Sequence, residues 1–216
     1  MPRVLVSGYT ISLAGYGTGP RQSREAPLGV GGERLHEWLV NTPTFKGIHV
    51  GAAGGGASDV AEEFAAKAMA GLGAWIMGRN MFTPSRGPWP DDSWRGWWGR
   101  NPPYHTPVFV LTHHKRAPIE MEGGTVFHFV TDGIEVALER ARAAAGAKDI
   151  RLGGGAETIR EYLKARLIDE MHIAVSPILL GSGESLLADI DLSALGYKCT
   201  KWVASAKAAH YTIAKS

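Results

Sequence analysis

"DIRLGGGAETIREYL", Asp149–Leu163, is the stretch on which the fold turns. A short apolar run ends at Leu152, three glycines follow, and Ile159, Tyr162, Leu163 and Leu167 then fall at helical spacing. A plain corner needs one glycine. Three of them strip the Cβ atoms from a strand-to-helix junction and bare the backbone N–H groups of a helix N-terminus. Those groups, with the positive end of the helix dipole, form an anion cradle at the carboxyl edge of a sheet. A phosphate or pyrophosphate is the expected guest. Neither common label fits it. A P-loop needs Gly-Lys-Ser/Thr where Ala156-Glu157-Thr158 stand, and Gly-x-Gly-x-x-Gly needs a glycine where Thr158 stands.

The flanking sequence supplies the rest of an α/β domain. Arg3–Tyr9 reads as a buried strand, and Thr10–Gln22 as a loop. Leu35, Trp38 and Leu39 mark a short helix. Asp59 and Glu62 have capping-box spacing, and Val60, Phe64 and Ala68 line one apolar face of the helix that follows. Ala74–Gly78, "VFVLTHH" (Val108–His114) and "TVFHFV" (Thr125–Val130) read as strands. Asp132 and Glu135 repeat the capping spacing before Ile134, Val136 and Leu138. The tail, within Asp169–Leu187, Tyr197–Ser205 and Ala209–Ser216, reads as strands with no helix between the last two. The expectation is one domain over residues 1–216, with a mostly parallel sheet and an antiparallel C-terminal hairpin. The glycines from Gly51 to Gly56 read as a loop.

Composition narrows the function. The formal charge of +2, with 20% charged residues, predicts no nucleic-acid partner. A single cysteine, Cys199, excludes an internal disulfide and fits a reducing, cytoplasmic setting. "MPRVLVSGYT" lacks the apolar core of a leader, and no run reaches the roughly 18 apolar residues of a membrane span. Four of the seven tryptophans crowd between Trp89 and Trp98, inside the aperiodic stretch Gly78–Pro107. Such a segment suits a lid or pocket wall for a flat heterocycle, or equally a buried or partner-facing surface.

Two further pieces could hold anions. "WIMGRNMF" (Trp75–Phe82) ends a strand in glycine and offers Arg79, whose planar fork suits phosphate. "VLTHHKRAP" (Val110–Pro118) ends a strand in Thr112, His113 and His114 before Lys115 and Arg116. Adjacent histidines on a strand point to opposite faces, so no metal site is expected there.

With "SLAGYGTGP" (Ser12–Pro20) and "LIDEMHIAVSPILLGSGESLL" (Leu167–Leu187), these pieces occur in the order found in the dihydrofolate reductase-like superfamily. The chain resembles the reductase domain of the bifunctional riboflavin-biosynthesis deaminase-reductase and its stand-alone relatives. The resemblance implies a three-layer fold and NADPH as cofactor. It implies that Gly78, Arg79, Asn80 and Met81 approach the adenosine phosphate and pyrophosphate, and that Thr112 and His113 meet the 2′-phosphate or adenine. Gly153, Gly154, Gly155, Ala156, Glu157 and Thr158 would wrap the pyrophosphate and nicotinamide ribose. The implied reaction is hydride transfer to a small aminouracil- or pterin-like heterocycle, as in 5-amino-6-(5-phosphoribosylamino)uracil reductase.

Two departures bear on the substrate. Ala14 stands where family members commonly carry aspartate. Arg34 stands where a folate reductase keeps a carboxylate, with Glu33 turned by about 100°, so folate reduction is not expected. Ser12 and Trp98 are the candidate substrate contacts. The proton source is open among Glu33, Asp91, Asp92, Glu184 and water, and His172 reads as structural. The apolar C-terminal strands, particularly "HIAVSPILL" (His172–Leu180), could supply a homodimer contact of the kind the family uses. A nucleotide sensor without turnover and a tryptophan-rich interaction protein are the competing functions.

Overall fold

The computed structural model describes residues 1–50 and 59–216, so the Gly51–Gly56 cluster lies outside the described residues. A nine-stranded sheet runs β10-β11-β8-β1-β7-β3-β4-β6-β5. Its strands are β1 (Val4–Ser12), β3 (Leu72–Gly78), β4 (Pro107–Leu111), β5 (Ile119–Glu120), β6 (Val126–Val130), β7 (Asp149–Gly154), β8 (Glu170–Ser176), β10 (Tyr197–Ala204) and β11 (Ala209–Lys215). β8, β1, β7, β3, β4 and β6 are mutually parallel. The β10–β11 hairpin adds antiparallel to β8, as the helix-free tail predicted, and β5 adds antiparallel to β6.

Helices α4 (Ile134–Ala145) and α5 (Ala156–Lys164) cover one face. Ile159, Tyr162 and Leu163 of α5 are fully buried there among Val4, Val6, Ile76, Ile150 and Leu152. Each such side chain contributes about 1.5–3 kcal/mol on leaving water. Tyr162 keeps its hydroxyl satisfied by donating to Ile134 O at 2.9 Å. On the other face, α2 (Val60–Met69) sets Phe64 with Trp38, while Trp75 and Met77 of β3 pack with Phe82 and Tyr104. Among the described residues, helices α1 (Pro43–Val50) and α3 (Arg79–Phe82) complete the helical set, with 3-10 turns at Gly32–His36 and Glu122–Gly124. Two further short strands, β2 (Tyr16–Thr18) and β9 (Glu184–Ser185), pair in a separate ribbon.

Local chemistry explains where the sequence reading holds and where it shifts. Asp59 caps α2 by accepting from Glu62 N at 2.9 Å, while the Glu62 carboxylate turns to Thr44 instead of closing the box. Asp132 does not cap α4. Gly133 takes the cap position with no side-chain bond, and Asp132 pairs with Arg140 at 3.6 Å. β7 outruns Leu152 by two residues because Gly154 still registers with Met77 of β3. β1 likewise continues to Ser12, and the expected loop after it contains β2.

Before that extension, β1 passes through a bulge. Val6 registers with Met171 and Tyr9 with Ile173, so β1 carries one residue more than β8. The backbone groups left over are taken by side chains. Arg151 of β7 donates to Ser7 O at 2.7 Å, and Gly8 N, at φ 67, donates to His172 Nδ1 at 3.1 Å. Arg151 also donates to Ala68 O at 2.7 Å and lies 4.4 Å over the Trp75 ring. An Nδ1 that accepts must leave the proton on Nε2, which faces His210 Nδ1 at 3.0 Å. His210 Nε2 in turn meets Ser205 Oγ at 2.9 Å. Both imidazoles stack on Phe64. Burial, followed by His210, Lys67 and Arg151, pushes His172 down to about 3; burial pushes His210 down to about 4, against a raising pull from Asp59. The sequence expectation that His172 is structural agrees with this arrangement.

Candidate functional site

The two glycine-ended strands meet at one corner. Gly78 closes β3 and faces the first turn of α5 so tightly that a Cβ would overlap Thr158 Oγ1, and it would lie 3.6 Å from Gly154 O. A Cβ on Gly153 would come within 3.1 Å of the Met81 thioether. Gly154, at φ 128, packs against Tyr9, and its peptide to Gly155 is cis. Gly155 is the N-cap of α5 and supplies no side-chain bond, so no capping side chain occupies the first-turn N–H groups. Gly78, Met81, Gly153, Gly154, Gly155 and Thr158, drawn from two distant motifs, are thus one cluster. Ala156 is buried beneath it, Glu157 is exposed, and Asn80 is half-buried on α3.

Beside the corner, past the ends of β3 and β4, lies a basic cluster. Arg79 gives one N–H to Gly87 O, while its Nε and Nη2 are buried without a partner. Two guanidiniums approach the Trp89 ring, that of Arg79 at 3.8 Å and that of Arg116 at 4.7 Å from its centroid. Its indole N–H donates to His114 O at 2.9 Å, tying the stack to the end of β4. Arg116 is almost wholly buried, donates to Trp94 O at 2.8 Å, and keeps Nη1 unpartnered. Burial, then Arg86 and Arg116, lowers the Arg79 guanidinium from its ordinary value. Positive charge crowded against unmet N–H groups is the electrostatic signature of an anion seat. Thr112 is buried and receives His114 N on its hydroxyl at 3.2 Å; His113 is exposed.

The remaining expected residues separate. Ser12 is fully buried and its hydroxyl accepts Tyr16 N at 3.1 Å, closing the turn after β1. Trp98 is 40% exposed, and its side chain hydrogen-bonds that of Tyr104. Trp89 and Trp94 pack against the Phe82 cluster, so half of the tryptophan group is internal. Among the candidate acids, Glu33 is exposed, Asp91 is bound by Ser93, and Asp92 faces Arg116 at 3.5 Å. Glu184 differs: its carboxylate is 3.7 Å from the Cβ position of Gly155. Tyr9, which no sequence motif singled out, reaches from Gly154 to Gly17, and burial and Glu184 push its phenol well above the usual range. Of the C-terminal strands, β8 has both edges paired, with β1 and β11; the sheet's edge strands are β5 and β10, and on β10 Trp202 is 70% exposed.

Among the described residues no group of His, Cys, Asp or Glu is placed to hold a metal ion, and no helix is long and apolar enough to cross a membrane.

A mostly parallel sheet with a glycine-lined, arginine-flanked corner at its carboxyl edge defines an α/β protein of the kind that places ligands at that edge. More narrowly, the RibD C-terminal domain model matches residues 3–211, and the chain belongs to that family. Among solved structures, a putative riboflavin biosynthesis protein from Shewanella sp. PV-4 aligns over 100% of this chain and 99% of its own, with TM-score 0.56 and 21% identity. The deaminase/5-amino-6-(5-phosphoribosylamino)uracil reductase of Thermotoga maritima aligns over 100% of this chain and 57% of its own, with TM-score 0.53 and 12% identity. These likenesses establish the dihydrofolate reductase-like fold. The uncharacterised Bacillus subtilis protein YwjB is 33% identical over 84 residues, 38% of this chain and 48% of that protein. The chain spans less than half the length of that curated relative.

Proposed function

We propose that the chain acts, as one domain, as an NADPH-dependent reductase of a small heterocyclic substrate of aminouracil type. The observation that carries this is the Arg79 guanidinium, with two buried unpaired nitrogens, Nε and Nη2, set beside the bare glycine corner. Family membership and the fold support it. The residues present suit the cofactor. Gly153–Thr158 and the α5 N-terminus would hold the pyrophosphate, and Arg79 with the Thr112–His114 strand end would hold the 2′-phosphate. When bound, NADPH supplies the hydride. The chain's own part is to orient, to exclude water and to move a proton. Glu184 is the acid best placed for that proton, with the Tyr9 phenol, held protonated, as its neighbour. A homodimer through the open β10 edge accompanies this reading. Light scattering on Trp202→Lys checks it, with dissociation as the expected result.

Gly155→Ala tests the corner itself. Its φ of −74 suits alanine, and the added Cβ has ordinary contact room. The variant keeps its melting temperature within about 2 °C, because neither strain nor overpacking arises. NADPH affinity, measured by calorimetry, falls about tenfold as the methyl enters the cradle. Unchanged affinity would remove the glycine corner from the site.

A further inference from the structure

Trp89 covers the Arg79 guanidinium with the chain's own atoms. The closed state is held by the Arg79–Trp89–Arg116 stack, the indole bond to His114 O and the bond from Arg79 to Gly87 O. It is opposed by the unmet N–H groups on Nε and Nη2 of Arg79 and by the like charges of Arg86 and Arg116 around it. An arrangement balanced in this way has a second resolution. The guanidinium turns its free N–H groups to a phosphate, and a purine takes the flat seat the indole vacates. The two rings are the same kind of group, planar and attracted to a guanidinium face.

Resting on the reading of the chain as an NADPH-binding protein, we propose that Trp89 is a self-ligand, seated where the adenine of the dinucleotide goes. Nucleotide binding then requires the indole to leave, and apparent affinity is the intrinsic affinity multiplied by the fraction of chains with the seat open. That fraction is a property of the protein alone. Removing the indole therefore raises the affinity for NADPH and NADH by one common factor and leaves their ratio, which belongs to Arg79, unchanged.

The test is calorimetric titration of NADPH, NADH and adenosine 2′,5′-bisphosphate into the wild type, Trp89→Ala and Trp89→Phe. Trp89→Ala gains about tenfold for all three nucleotides, and Trp89→Phe, which fills the seat but cannot bond to His114, gains about threefold. The wild-type tryptophan emission shifts on adding the bisphosphate, and most of that shift is lost in Trp89→Phe. Should Trp89→Ala lose its folded circular dichroism spectrum, the phenylalanine variant and the emission shift decide. Nucleotide binding by the wild type with no gain in the variants rejects the self-ligand and leaves the reductase reading standing. No binding of any of the three by any chain rejects both.

Discussion

Arg79→Ala weakens NADPH binding by about 30- to 100-fold and leaves NADH within about threefold. The reason is the state of the guanidinium before any ligand arrives. Its Nε and Nη2 are desolvated and unpaired, so the usual cost of stripping water from the donor has already been met in folding. Each charge-assisted bond to a phosphate is worth about 1.5–3 kcal/mol. Counting the pair as about 2–2.7 kcal/mol after screening near the surface gives the stated factor. NADH has no 2′-phosphate and cannot collect that term. Calorimetry of both nucleotides is the measurement. An equal loss for both would mean that Arg79 holds the pyrophosphate or the loop, and that the 2′-phosphate is read elsewhere.

The second large effect is on stability in acid. His172 and His210 are neutral in the fold, pushed to about 3 and about 4, whereas an unfolded chain takes up protons near the ordinary histidine value. Folded values below unfolded ones mean that stability is whole above about pH 6.5 and is lost as the pH falls toward about 3 to 4. Two protons taken up on unfolding give a slope of about 2.7 kcal/mol per pH unit in the middle of that window. Lys67 and Arg151 press in the same direction, and Asp59 opposes it at His210. Urea unfolding between pH 7 and pH 5 reads the slope. His172→Gln can still accept from Gly8 and donate toward His210, so it folds and shows about half the slope. A slope unaltered by that substitution would place the acid lability in other groups.

How much of this was legible beforehand depended on the range of the interactions. Local signals read well. The apolar period of α5, the bare glycines before it, and the Asp59 cap each involve neighbours within a turn. Asp132 misled because its spacing matched a cap while Gly133, one residue on, could adopt the conformation the entry needs. Tyr9 and Glu184 face the glycine corner through pairings far apart in the chain, and no local pattern distinguishes them from an ordinary strand tyrosine and loop acid. Glu184 stood among four candidate acids, and only the ribbon of β2 with β9 separates it from the others. The tryptophan segment was ambiguous for a physical reason. Its rings are divided, with Trp89 and Trp94 inward and Trp98 toward solvent, and an aperiodic sequence carries no record of which side faces in.

The bulge in β1 has a meaning for insertions and deletions. Even-numbered Val4 and Val6 before it and odd-numbered Tyr9 and Ile11 after it all address the same apolar interior, because the additional residue resets the alternation. A shortened chain lacking Gly8 would therefore zip into an unbroken ladder with those four side chains still turned inward. What it would strand is a guanidinium and an imidazole, each robbed of the carbonyl or amide it was built to meet. The kink thus serves the polar wiring of the molecule's centre, and the oily packing would survive without it.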